Sequence, residues 1–277
     1  MIQFRLAVAL PGLDAGGLLA LAPEVEALGL DELWYGDPTG TTSFDATYVI
    51  TALGGVTAVT RRIRLGAFVE LDRSSGALWL AEDLGTLDQA SDGRLTLGVG
   101  APRDDAAAAH DLLRRALTAW TGWTVGGTSV PVTPAPAQPF LPRVLASDWG
   151  EEAADELGAG LVTGPGDAAP GGTRLRRVLR TVEVDGDDVH AHLAGDVAGG
   201  LRTWRETAAA AGADSVLFVL HSADPELLRR SLNVLARVVM PVLRCADFQV
   251  DTVSESAWRW QEELTEFHEL PPAPAPA

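Results

Sequence analysis

The chain has 277 residues, 47% of them hydrophobic, which is enough for one large hydrophobic core. Its formal net charge of −17 excludes partners that need a basic protein surface, namely nucleic acids and anionic membranes. All 21 basic residues are Arg and none is Lys, which excludes lysine chemistry such as Schiff-base formation.

Apolar runs of strand length alternate with segments of helical periodicity along the chain. The predicted strands lie at 4–10, 33–35, 63–69, 94–100, 143–146, 161–163, 178–184 and 215–220. The predicted helices lie at 16–28, 45–59, 78–90, 106–120, 151–157, 201–211 and 225–243. Strands and helices that alternate in this way predict an α/β protein with a (β/α)8 TIM barrel rather than an open sheet.

Local signals mark several helix ends. Asp14 is expected to cap the first helix, and Asp224 followed by Pro225 is a strong start for the last one. Pro23 lies inside the first helix and should kink it or move its start. Residues 128–142 are rich in proline, so they are not expected to form a regular helix. An additional strand is predicted over 189–193.

Cysteine usage and the start of the chain indicate the compartment. The single cysteine, Cys245, cannot form an internal disulfide, so a reducing compartment is the default. The first residues lack the features of a signal peptide, and no apolar run approaches the ~20 residues of a membrane span. We therefore expect a cytoplasmic protein.

Residues 61–100 predict a strand, a helix and a strand, with the sequence RRIRLG followed by LAEDLGTLDQASDGRLTLGVG. These motifs, with EALGLDELWYGD at 26–37, resemble the luciferase-like monooxygenase family of flavin- and deazaflavin-dependent oxidoreductases. DLLRRALTAWTG and ARVVMPVLR extend the resemblance over most of residues 1–245. It implies a barrel of the bacterial luciferase-like type, with FMN or a deazaflavin coenzyme (F420) at the carboxyl ends of the strands.

The domain organisation follows from the same resemblance. We expect the barrel over 1–245, a partly helical extension over 246–270 and a disordered Pro/Ala tail over 271–277. The insertions are trimmed, because only about 40 residues separate Gly100 from Arg143. The resemblance also implies a homodimer formed through the early helices, where Trp79 could be covered by the partner.

The ring-support site of the family falls at Phe68, Val69 and Glu70, where it is often a non-proline cis peptide bond. The family has small residues there, so the large Phe68 could fill the space of the ring, and a plain strand end is an equal alternative. Gly98 and Gly100 end the fourth strand, where glycines either admit a flat ring to the backbone or form a tight strand end.

The proton-transfer position of the family, usually Asp-His, reads Asp37-Pro38 here. Pro38 has no titratable group, which leaves Asp37 as the candidate catalytic residue.

The phosphate loop of the family matches Ser147, Asp148, Trp149 and Gly150, at a helix N-terminus where anions are favoured. Asp148 and the following Glu151 and Glu152 place carboxylates at this end. The sequence therefore favours an ordinary acid-capped helix over a bound phosphate.

The remaining polar clusters do not predict a metal. His190 and His192 could form half of a metal site, but a surface hairpin explains them better because no third ligand is nearby. The acidic run 185–188 lacks the positions of a calcium loop. Arg174, Arg176, Arg177 and Arg180 could meet an anion, but pairing with surface carboxylates is simpler.

Two functions remain open from the sequence. One is a flavin- or deazaflavin-dependent oxidoreductase, which the resemblance favours. The other is a non-catalytic barrel homologue that has lost the cofactor site and serves as a binding or structural protein. Pro38, Phe68 and the acidic loop favour the second, and the intact scaffold does not separate the two, because core residues are needed for folding alone.

Overall fold

The computed structural model describes residues 5–40, 44–71, 76–100, 106–125, 128–164, 178–183 and 215–244, with Val189, Glu206 and Ala213. Its strands are β1 (Arg5–Ala9), β2 (Glu32–Tyr35), β3 (Arg64–Val69), β4 (Leu95–Val99), β5 (Trp123–Val125), β6 (Thr128–Val130), β7 (Arg143–Ala146), β8 (Gly160–Thr163), β9 (Val178–Glu183) and β10 (Ser215–Val219). Its α-helices are α1 (Ala15–Ala27), α2 (Ala46–Val59), α3 (Ala77–Ala90), α4 (Ala106–Thr118), α5 (Gly150–Glu156), α6 (Pro225–Val234) and α7 (Met240–Arg244).

Eight strands form a closed barrel in the order β1-β10-β9-β8-β7-β4-β3-β2. Every neighbouring pair is parallel. The barrel is closed because β1 pairs both with β2, where Ala9 lies opposite Trp34, and with the last strand, β10. Each barrel strand pairs with the barrel strand that precedes or follows it in the chain, which is the arrangement of a (β/α)8 barrel. The predicted fold class is confirmed.

Side chains alternate between two apolar layers along the barrel strands. The outward side chains, such as Leu6, Leu33 and Leu65, pack beneath the helices and are fully buried. The inward side chains form a separate cluster inside the barrel, which consists of Ala7, Ala9, Trp34, Phe68, Val144, Val162, Leu217 and Val219. Both layers exclude water, so the interior of the barrel is a core and not a channel.

The segment between α4 and β7 contains a hairpin that the sequence did not predict. Strands β5 and β6 pair antiparallel, with Trp123 opposite Val130. The proline-rich residues that follow are tied to α3, because Asp88 accepts hydrogen bonds from Gln138 N at 2.9 Å and from Gln138 Nε2 at 2.8 Å. The absence of a regular helix here agrees with the prediction.

Three expectations about local structure need correction. The α1 helix continues through Pro23, so this proline does not move the helix start, while a kink at Pro23 stays a prediction. The last helix is interrupted by a π-helical turn, Leu235–Val239, between α6 and α7. Val189, within the strand predicted over 189–193, has helical backbone, so that strand is wrong at this residue. Asp14 and Asp224 cap α1 and α6 as predicted.

Several sequence predictions lie outside the described residues: Cys245, the extension and tail over 246–277, His190 and His192, the acidic run 185–188, Arg174, Arg176 and Arg177. Trp79 is described and is 73% exposed on α3, while self-association through it stays a prediction. Among the described helices, none is long and apolar enough to cross a membrane.

A carboxylate on α1 holds the start of β3. Glu26 accepts hydrogen bonds from the backbone N–H groups of Arg61, Arg62 and Ile63, at 2.9, 2.6 and 2.9 Å to Oε2. Burial by itself would raise the pKa of Glu26, but the three N–H groups outweigh it, so the pKa of this carboxyl is lowered.

We predict that Glu26→Gln lowers the free energy of unfolding by about 1–2 kcal/mol at pH 7, because charge-assisted hydrogen bonds are lost. A lowered folded-state pKa stabilises the protein above the unfolded pKa of about 4.3, and this contribution disappears as pH falls through the folded value. Urea denaturation at pH 7 and at lower pH should therefore show a difference that shrinks on acidification.

The control is Glu24→Gln on the same helix, where an exposed ion pair with Arg229 at 3.0 Å is lost instead. That pair should contribute less than about 1 kcal/mol. Equal losses in the two variants at pH 7, or a Glu26→Gln effect undiminished in acid, would contradict the prediction.

Candidate functional site at the carboxyl end of the barrel

Two aromatic side chains fill the barrel beneath the site. Trp34 and Phe68 point inward, with ring centroids 6.5 Å apart and planes inclined by 56°. A Cβ at Gly66 would lie 1.9 Å from Trp34 Cδ2, and a Cβ at Gly98 would lie 2.3 Å from Phe68 Cδ2. These two strand positions therefore require glycine, and Gly98 serves the packing of the barrel interior.

The indole N–H of Trp34 forms its hydrogen bond toward the amino end of the barrel. Trp34 Nε1 donates a hydrogen bond of 2.9 Å to Oε2 of Glu32, which is fully buried. Arg5 Nη1 lies 3.9 Å from Glu32 Oε1. A buried carboxylate needs such partners, so Glu32 belongs to the support of the barrel and not to its mouth.

The chain leaves β2 in a tight turn that buries the candidate catalytic residue. Gly36 has φ of +93°, and a Cβ there would lie 1.9 Å from the carbonyl oxygen of Phe68. Asp37 is 3% exposed, and its Oδ1 accepts hydrogen bonds from Thr39 N at 2.8 Å and Thr39 Oγ1 at 2.6 Å. This geometry makes Asp37 an organiser of the turn, and its catalytic role stays a prediction.

The end of β3 departs from the expected ring support. Within the described chain the one cis peptide bond is Thr133–Pro134, so the bonds that join Phe68, Val69 and Glu70 are trans. The cis bond common in the family is therefore not present at these positions, and the assignment of Phe68, Val69 and Glu70 to cofactor binding stays a prediction. Phe68 is 2% exposed inside the barrel, while Glu70 is partly buried at the mouth and its Cγ would be 3.2 Å from a Cβ on Gly100.

Gly100 connects three strand ends. Its N–H donates to the carbonyl of Val69 at 2.8 Å, and its carbonyl accepts a 2.6 Å hydrogen bond from Trp149 Nε1. Trp149 ends a 3₁₀ turn, Ser147–Trp149, that follows β7. The structure thus brings Gly100 and Trp149 together at the mouth, although the sequence placed them in separate ring and phosphate sites.

The expected phosphate loop is short and acidic. Helix α5 starts at Gly150, has seven residues and carries Glu151 and Glu152 in its first turn. Asp148 is exposed just before it. Arg143 points away, because its Nε donates to the carbonyl of Leu157 at 2.6 Å near the amino end of the barrel. The described residues therefore do not fit a cofactor phosphate, and the assignment of residues 147–150 to cofactor binding stays a prediction.

Two histidines near the mouth were missed by the sequence interpretation. The ring of His110 on α4 lies 6.5 Å from the ring of Trp149, and its Nε2 lies 3.5 Å from Glu156 Oε2. His221 follows β10, and its carbonyl oxygen lies where a Cβ on Gly12 would be. Their positions in the sequence, after β4 and β10, could have indicated that both lie toward the carboxyl end of the barrel. Within the described residues, no group of three His, Cys, Asp or Glu side chains could hold a metal ion.

Comparison with known proteins gives one family match. Residues 3–110 match the model of the luciferase-like monooxygenases, which confirms the resemblance inferred from the sequence. No curated protein matches the chain.

Solved structures share the architecture. The monooxygenase RslO1 from Streptomyces bottropensis has 16% identity and a TM-score of 0.63 over 86% of this chain and 99% of its own. An F420-dependent secondary alcohol dehydrogenase, solved with an F420–acetone adduct, has 12% identity and a TM-score of 0.64 over 88% and 100%. The oxygenating constituent of 3,6-diketocamphane monooxygenase from Pseudomonas putida, solved with FMN, has 12% identity and a TM-score of 0.61 over 87% and 98%. At these identities the likeness shows the fold alone.

We predict that Gly36→Ala destabilises the protein by several kcal/mol. A left-handed backbone costs a non-glycine residue roughly 1–2 kcal/mol, and the contact with Phe68 adds a steric cost. Gly29→Ala is the control, because Gly29 also has positive φ, +79°, but has nothing within 4 Å of its Cβ position. Chemical denaturation should show a clearly larger loss for Gly36→Ala, and equal losses would refute the close contact.

Proposed function

We propose that this chain, whose residues 3–110 match the model of the luciferase-like monooxygenases, is an oxidoreductase of that class that uses FMN or F420 as a loosely held co-substrate. The observation that carries the proposal is the cluster at the mouth of the closed barrel, where Glu70 and Trp149 meet at Gly100 and Asp37 follows β2 at the same end. Active sites of such barrels lie at this end. The substrate would be a small molecule.

Loose binding follows from the charges around α5. A phosphate beside Asp148 or Glu151 meets a like charge, and two unit charges ~4 Å apart repel by about 4 kcal/mol at an effective dielectric constant near 20. Exposure to water reduces this repulsion. A remaining penalty of about 1.4 kcal/mol still weakens binding tenfold.

The contribution of the chain is shielding and positioning. A flavin or deazaflavin supplies hydride transfer or oxygen activation when bound. Trp34 and Phe68 close the barrel below the mouth, and Trp149 fixes the turn after β7 across the end of β4. His110, whose ring lies 6.5 Å from that of Trp149, and His221, which follows β10, are our candidates for proton transfer.

A second function is favoured by the same acidic helix. If α5 rejects the phosphate altogether, the barrel is a non-catalytic homologue that serves as a binding or structural protein. Phe68 packs inside the barrel whether or not a cofactor is bound, so its position agrees with a non-catalytic homologue as well as with an enzyme.

We predict that calorimetric titration of the wild type with FMN and with F420 gives dissociation constants weaker than about 10 μM. The double substitution Asp148→Ser with Glu151→Gly should tighten binding about tenfold or more, because it removes two carboxylates from the start of α5. The control, Asp155→Ser, removes a carboxylate from the other end of α5 without touching the Glu156–His110 contact, and it should change little.

The outcomes separate the two functions. Sub-micromolar binding by the wild type would contradict the loose-binding argument. Failure of both the wild type and the double variant to bind either cofactor would favour the non-catalytic function.

A further inference from the structure

Two grooves meet at one exposed tryptophan on the outside of the barrel. The larger has a volume of about 470 Å³ and lies between α3 and α4, with Trp79, Leu112, Arg115 and Trp123 among its lining residues. The smaller has a volume of about 280 Å³ and lies between α2 and α3, lined in part by Asp45, Leu80 and Asp83. Trp79 forms the wall between them. We call this surface the Trp79 ridge.

The aromatic side chains of the ridge lie against neighbouring residues. The Trp79 ring lies over Gly76, where a Cβ would be 2.7 Å from Trp79 Cδ1. Arg115 stacks on Trp123, with its guanidinium carbon 5.0 Å from the ring centroid. Trp79 nevertheless remains 73% exposed. Preordered exposed aromatics of this kind mark docking surfaces, because little conformational entropy is lost on contact.

The charges of the grooves favour a neutral occupant. Asp45, Asp83 and Asp111 line them, and Arg115 is already 3.8 Å from Asp111. Burial, with a smaller contribution from Glu82, raises the pKa of Asp83, so covering this group further opposes its ionisation. A second copy of a chain with net charge −17 would bring the same carboxylates to the interface.

The chain contains a proline-rich segment without charged side chains, which is the neutral kind of occupant that the grooves favour. Residues 271–277 read PPAPAPA, without a charged side chain. Pro271 and Pro274 are three residues apart, which places them on one side of a polyproline II helix of three residues per turn. Proline-rich segments in this conformation dock in aromatic-lined grooves at low entropic cost.

We propose that residues 271–277 bind along the Trp79 ridge, with Pro271 and Pro274 seated in the two grooves. This inference is independent of the proposed function. Residues 245–270 connect the segment to Arg244 and, because they are expected to be partly helical, their reach lies between about 39 Å (wholly helical) and about 86 Å (fully extended), against a diameter of roughly 48 Å for a domain of this size. Tethering gives an effective concentration of about 1 mM, so an intrinsic dissociation constant near 0.1–1 mM suffices for occupancy.

The test uses the full chain and a fluorescein-labelled peptide of sequence ELPPAPAPA. The variant Pro271→Ala with Pro274→Ala should release its own tail and bind the peptide several-fold more tightly than the wild type in fluorescence anisotropy. Adding Trp79→Ala to this variant should weaken peptide binding at least tenfold. Adding Phe140→Ala instead should have no effect, because Phe140 is an exposed aromatic residue that does not line either groove.

Three results would overturn the proposal. The first is equal binding of a peptide in which both prolines are alanine, and the second is unchanged binding after Trp79→Ala. The third is a dimer in sedimentation velocity that Trp79→Ala dissociates, since a second copy would then cover the ridge.

Discussion

The packing of Trp34 and Phe68 over two glycines is the contact on which the barrel and its mouth depend. Gly66 and Gly98 leave room for rings that a single Cβ would displace. This contact fixes β2, β3 and β4 relative to one another and fills the barrel interior between them with apolar side chains. It also places the Phe68 carbonyl against Gly36 and positions Glu70 beside Gly100. The packing of the core therefore determines the geometry of the mouth.

Among the described residues at the mouth, few polar groups are available to an anion. Asp37 is engaged with Thr39, and Gly100 is engaged with Val69 and Trp149. Arg143 is used at the opposite end of the barrel. The polar groups at the carboxyl end thus stabilise turns, and α5 adds negative charge where a phosphate would need positive charge. The described residues of the mouth thus agree with the loose cofactor binding that we propose.

The barrel strands were predictable from the sequence because buried parallel strands leave continuous apolar runs. The β5–β6 hairpin was not, since strands of three residues have no measurable periodicity. Pro23 is tolerated in α1 because it and Leu19 lie on the exposed side, where water can bind the carbonyl that proline leaves free. The site was only partly predictable, because the contact of Trp149 with Gly100 depends on the pairing of β4 with β7.

The absorbance spectrum of the purified protein tests the central claim most directly, namely that the barrel is retained while the cofactor is held loosely. We expect protein purified from a flavin-producing host to show no flavin bands, and bands from added FMN to disappear after gel filtration. A stoichiometric flavin spectrum that survives gel filtration would contradict the account, because the acidic start of α5 would then not prevent tight binding.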